Sequence, residues 1–128
     1  MKRFLLAACL CASPAFADGI AILDGFSEFR LPEVTSYDQP MTLVSDWVMS
    51  FPREGEGRPS LSVTSTIGDD RSLTIEITET GLADDSVSAV QRRYVLERAD
   101  AGWTLVGYGH RQRCWRGETG VWTASPCP

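Results

Sequence analysis

His110 is the only histidine in the 128-residue chain, so any histidine-based acid–base or nucleophilic chemistry must pass through it. It sits in the run Tyr108-Gly109-His110-Arg111-Gln112-Arg113. A small hydrolase or transferase using His110 would also need a nucleophile on a defined elbow and a carboxylate in a cleft to orient the imidazole. The elbow signature Gly-x-Ser-x-Gly does not occur. A strand histidine held by its neighbours explains the residue with fewer demands, so we expect a non-catalytic protein with no catalytic residues and keep the His110 enzyme as the alternative.

Metal and cofactor chemistry meet similar obstacles. The pairs Asp69-Asp70 and Asp84-Asp85 lack the alternating ligand spacing of a calcium loop and read as turn residues. Glu54 and Glu56 lie in a glycine-rich stretch that fixes no catalytic separation. Neither a phosphate loop nor Gly-x-Gly-x-x-Gly is present, so no cofactor is expected. There is no Cys-x-x-Cys, and one histidine with Cys114 and Cys127 cannot complete a tetrahedral zinc site.

The strongest chemical signal is charge distribution. Asp18 to Ser86 holds four arginines against fourteen acids, and Val87 to Pro128 holds six arginines against three. The basic part is interleaved with Tyr94, Trp103, Tyr108, Trp115 and Trp122. Guanidinium forks beside aromatic faces suit carboxylates, phosphates, sugar acids or an acidic protein surface. The candidate ligand-binding set is therefore Arg111, Arg113, Arg116, Tyr108, His110 and Trp115, facing a protein partner or an anionic envelope component. Alternatively, the two halves neutralise one another across the fold, with the tryptophans in the core. The net charge of −5 argues against nucleic acid.

The first residues point to export. Met1-Lys2-Arg3 is a basic start, Phe4 to Ala12 is uncharged and apolar, and Ala15-Phe16-Ala17 has the form cut by a signal peptidase. Cleavage after Ala17 would leave one domain, residues 18–128, in the periplasm or medium. Leu6-Ala7-Ala8-Cys9 also matches a lipobox, which would make the chain a lipid-anchored envelope protein through Cys9. In an oxidising compartment Cys114 and Cys127 are expected to bridge. No apolar run reaches the ~20 residues of a membrane-spanning helix.

These side chains need elements to carry them. Residues 60–67 and 72–79 alternate apolar and polar side chains, as half-buried strands do, and Gly68 to Arg71 supplies a turn between them. A third strand is expected over 87–98, with room for a bulge, and a fourth over 103–113. Asp38 to Phe51 carries Leu43, Val44, Trp47, Val48 and Phe51 at helical spacing, although its composition also suits a strand. Residues 53–59 read as a loop, and Ile20 to Leu31 as a second short helix. The expected fold is α+β: a four-stranded antiparallel meander covered on one face by one or two short helices, with one C-terminal disulfide.

Leu82-Ala83-Asp84-Asp85-Ser86-Val87, Tyr94-Val95-Leu96-Glu97-Arg98, Trp103, Arg113-Cys114, Arg116-Gly117, Trp122 and Cys127-Pro128 form a pattern over Leu82 to Pro128. On these residues the stretch resembles the C-terminal half of small uncharacterised exported bacterial proteins. The resemblance supports the Cys114–Cys127 bridge and the hairpin placement, and it implies no activity.

Overall fold

The computed structural model describes residues 19–52 and 57–128. The cleavage site after Ala17, the Cys9 lipobox and the Glu54/Glu56 pair lie outside the described residues. Four long strands dominate: β3 (Gly57–Ile67), β4 (Leu73–Leu82), β5 (Val87–Ala99) and β6 (Gly102–Cys114). They follow one another as antiparallel neighbours. Two 2-residue strands, β1 (Ala21–Ile22) and β2 (Ser36–Tyr37), both attach to β6. A 3-10 turn (Pro40–Val44) leads into the short helix α1 (Ser45–Met49), the single α-helix among the described residues.

The expected architecture therefore needs correcting in two respects. The sheet has six strands rather than four, and it is mixed, because β1 runs parallel to β6. Ile20 to Leu31 is not a helix. Its backbone pairs with β6 through Ala21, Ile22 and Ser27, and such two-residue pairings are too short to show period-2 alternation. Both β1 and Ser27 satisfy backbone groups that an open edge of β6 would leave to solvent.

Alternation sets the two faces of the sheet. Leu73, Ile75 and Ile77 of β4, Tyr94 and Leu96 of β5, and Leu105 and Tyr108 of β6 form the core on one face. Val44 covers it, with Leu43 and Trp47 packed beside it and Phe29 and Tyr37 completing the layer. The helical spacing of Asp38 to Phe51 is thus realised as a 3-10 turn followed by one helical turn. Val44 is buried, while Val48 stays 45% exposed. Gln39 precedes the first turn and makes no side-chain cap. Gly57 to Pro59 belong to β3 rather than to a loop. The register shifts once near the start of β5 and again between Val95 and Leu96.

Cys114 and Cys127 are bridged, with Cα atoms 5.5 Å apart. The chain beyond β6 folds back so that Thr123 and Gln112 exchange backbone hydrogen bonds of 2.8 and 2.9 Å. Among the described residues no helix is long and apolar enough to cross a membrane.

Candidate functional site

Side chains on a strand alternate between faces, and β6 divides the sequence-derived candidates accordingly. Tyr108 and His110 lie on the core face, where the Phe29 ring sits 5.6 Å from Tyr108 and 5.5 Å from His110. Arg111 lies on the opposite face, beside Phe26 and Trp122, and Arg113 joins it against Trp122. Trp115 and Arg116 follow the end of β6 and are exposed. Arg116 Nη2 reaches the Asp85 carbonyl at 3.5 Å. The six candidates thus do not converge on one surface.

What does converge is a stack on the polar face. The Arg93 guanidinium lies 4.7 Å from the Phe26 ring centre, and Arg111 lies 4.6 Å from that ring. Arg111 is also 5.4 Å from Trp122, and Arg113 is 4.3 Å from it. The order is Arg93, Phe26, Arg111, Trp122, Arg113: three cations interleaved with two rings. Each contact lies within the range of a cation–π attraction.

Local sequence explains why these groups meet. Gln91 is directly opposite Arg111 in the ladder, and Arg93 is one diagonal step away. Gly109 opposite Arg93 has no side chain, and that space is filled by Phe26. Trp122 is delivered by the return loop that the disulfide and the Gln112–Thr123 bridge hold against β6.

A polar network fixes the cations. Gln91 is 6% exposed and satisfies both ends of its amide. Its Oε1 accepts from Arg111 Nε at 2.7 Å, and its Nε2 donates to Glu76 Oε1 at 3.2 Å and Thr78 Oγ1 at 3.1 Å. Glu76 also pairs with Arg93. Burial pushes the Arg111 guanidinium below its ordinary range, and the neighbouring Arg93 and Arg113 add to this while Glu76 opposes it. Arg113 Nε is buried with no hydrogen-bond partner among the described residues. An incoming anion would answer both conditions.

Arg93, Phe26, Trp122 and Gln91 were absent from the sequence-derived set. Arg93 and Gln91 were within reach of the strand register, because positions 91 and 93 share a face with 111 once β5 and β6 are paired. Phe26 was not, since a two-residue strand and one bridge bring it there.

His110 is occupied otherwise. Ser27 Oγ lies 3.2 Å from Nδ1 and 3.5 Å from Nε2. An oxygen nearly equidistant from both ring nitrogens sits off both lone-pair axes, unlike a nucleophile aligned with a base. The same hydroxyl donates to the His110 carbonyl at 3.2 Å, and the two residues are bridge partners. This is a packing contact between paired strands. Among the described residues no group of three or more His, Cys, Asp or Glu side chains comes together.

On the core side an open groove of about 1040 Å³ lies between the segment around Phe29 to Tyr37 and the 3-10 turn with α1. Arg92 lines it, 3.9 Å from the Trp47 ring centre and 4.0 Å from Glu79. Consecutive arginines of β5 therefore serve opposite faces, each with a β4 glutamate. No family model, curated protein or solved structure matches the chain.

Proposed function

We propose that the chain is an exported, non-catalytic binding domain that grips a carboxylate- or phosphate-bearing partner of the cell envelope through the arginine–aromatic stack. On this reading the signal segment is removed after Ala17 and the domain works in the periplasm or outside the cell, as the Cys114–Cys127 bridge supports. The observation that carries the proposal is the ordered alternation of Arg93, Phe26, Arg111, Trp122 and Arg113 on one sheet face. Of the three arginines, Glu76 neutralises Arg93, and no carboxylate among the described residues pairs with Arg111 or Arg113. Rings hold the guanidinium planes in place, which lowers the ordering cost of presenting them to a planar anion.

Cross-linking in the periplasm followed by capture of the tagged chain tests this, with the double variant Arg111→Ala, Arg113→Ala as comparison. The expected result is a partner captured by the parent chain and depleted about tenfold or more in the variant, with capture weakening as salt is raised. Equal capture by both chains would remove the stack as the binding surface.

A further inference from the structure

The two edges of the sheet are treated very differently. The outer edge of β6 is met in turn by β2, β1, Ser27 and Thr123. The outer edge of β3 is met by no strand or bridge among the described residues. Proteins usually guard such an edge with charge, proline, a bulge or a very short strand. In β3 these guards are confined to its start, where Arg58, Pro59 and a register shift between Gly57 and Ser60 lie; from Ser60 to Ile67 the run is Ser-Leu-Ser-Val-Thr-Ser-Thr-Ile, and its register against β4 is unbroken. Its apolar row is also left incomplete, with Ile67 58% exposed.

We infer that β3 is a self-pairing edge, on which two copies of the chain join antiparallel about a two-fold axis through Thr64. The strand is complementary to itself in that register. Directly opposed residues project to the same face, so only pairings whose residue numbers sum to an even value set the apolar row against the apolar row. With the axis at Thr64, Leu61 faces Ile67, Ser62 faces Thr66 and Thr64 faces Thr64, so the outer pairs of the apolar row join apolar to apolar, and only Val63, which faces Ser65, meets a hydroxyl. The flanking charges match as well. Arg58 precedes the uncharged run and Asp69-Asp70 follow it, so the basic start of the strand in each copy lies at the same end as the acidic turn of the other. Shifting the axis to residue 65 pairs Val63 with Ile67 but sets Leu61 against Asp69, and shifting it to 63 sets Leu61 against Ser65 and Pro59 against Ile67. An isologous pairing of this kind closes on itself as a dimer and leaves the arginine–aromatic stack, at the other side of the sheet, untouched.

Sedimentation equilibrium of the full chain over a concentration series tests the inference, with Thr64→Lys and Thr64→Glu as variants. Thr64 is exposed, and a melting curve recorded beside each run confirms that the variants fold. The parent is expected to pass from monomer to dimer mass with concentration. Each variant places like charges opposite one another and should self-associate at least about fivefold more weakly. An equimolar mixture of the two should dimerise again, because lysine then faces glutamate. A parent that stays monomeric throughout, or a Thr64→Lys chain that associates as well as the parent, would overturn the self-pairing edge. A mixture that stays monomeric would overturn the axis at Thr64.

Discussion

Gly109 carries no side chain, and Phe26 occupies the space where one would project. Two effects of Gly109→Ala oppose each other. Alanine is the better strand residue, a gain of up to about 1 kcal/mol. Its methyl group, however, would collide with the Phe26 Cβ, which is anchored to backbone and cannot swing aside like the tip of a long side chain. Overpacking of this type costs about 1–3 kcal/mol, so the collision should win. We expect Gly109→Ala to lower the midpoint of denaturant unfolding and to loosen the Arg93 and Arg111 contacts with Phe26. An unchanged or raised midpoint would show that Phe26 does not rest on β6. At the same scale His110 lies on the core face, its ring against Ser27 and Phe29, away from the arginines of the stack.

At the scale of elements, the segment after β6 holds Trp122 in the stack by three ties: the Gln112–Thr123 bridge, the Gln112 side chain on the Ser125 carbonyl at 2.9 Å, and the disulfide. Hydrogen bonds contribute about 1 kcal/mol each, whereas ordering a residue costs about 1–2 kcal/mol, so bonds alone do not keep such a loop closed. The disulfide, with 13 residues of separation, contributes roughly 3 kcal/mol on the chain-entropy estimate. Replacing Cys114 and Cys127 by serine should preserve the far-ultraviolet signal of the sheet and shift Trp122 emission to the red, read against a Trp122→Phe control. Trp122 emission that does not move would mean the loop holds without its bridge. The long elements were legible because each carries its own pattern: alternation in Leu73, Ile75 and Ile77 gives β4, and two cysteines give the bridge. The short ones were not. Ala21-Ile22 and Ser36-Tyr37 are strands only because β6 offers them backbone partners, a tertiary cause that leaves no mark on local spacing. Phe26 was hidden for the same reason, since it reaches Arg111 through that pairing.

For the whole molecule, the two unequal halves of charge meet at the β4–β5 seam. Glu79 and Glu76 of β4 pair with Arg92 and Arg93 of β5, while Arg111 and Arg113 of β6 lie together on the polar face with no carboxylate partner among the described residues. The core beneath the opposite face has a different electrostatic weakness, in its tyrosines. Tyr94 is 2% exposed, and burial pushes its phenol up to about 12, with nearby Arg92 opposing the shift. Burial also raises Tyr37 and Tyr108, the latter with help from the Glu28 carboxylate. Between pH 10 and about 12 the unfolded chain releases the Tyr94 proton while the folded chain retains it. The unfolded state then binds fewer protons, so stability must fall as pH rises through that window. The contribution of Tyr94 is on the order of 3 kcal/mol when the window has been crossed. Tyr94→Phe removes the titrating group while keeping the ring in the core, and its stability should decline less steeply than that of the parent from pH 10 upward. Unfolding free energies measured at a series of alkaline pH values decide the matter: parallel curves for the two chains would mean that Tyr94 ionises without unfolding the sheet, and that its burial against Ile75 and Leu96 is not what limits the fold at high pH.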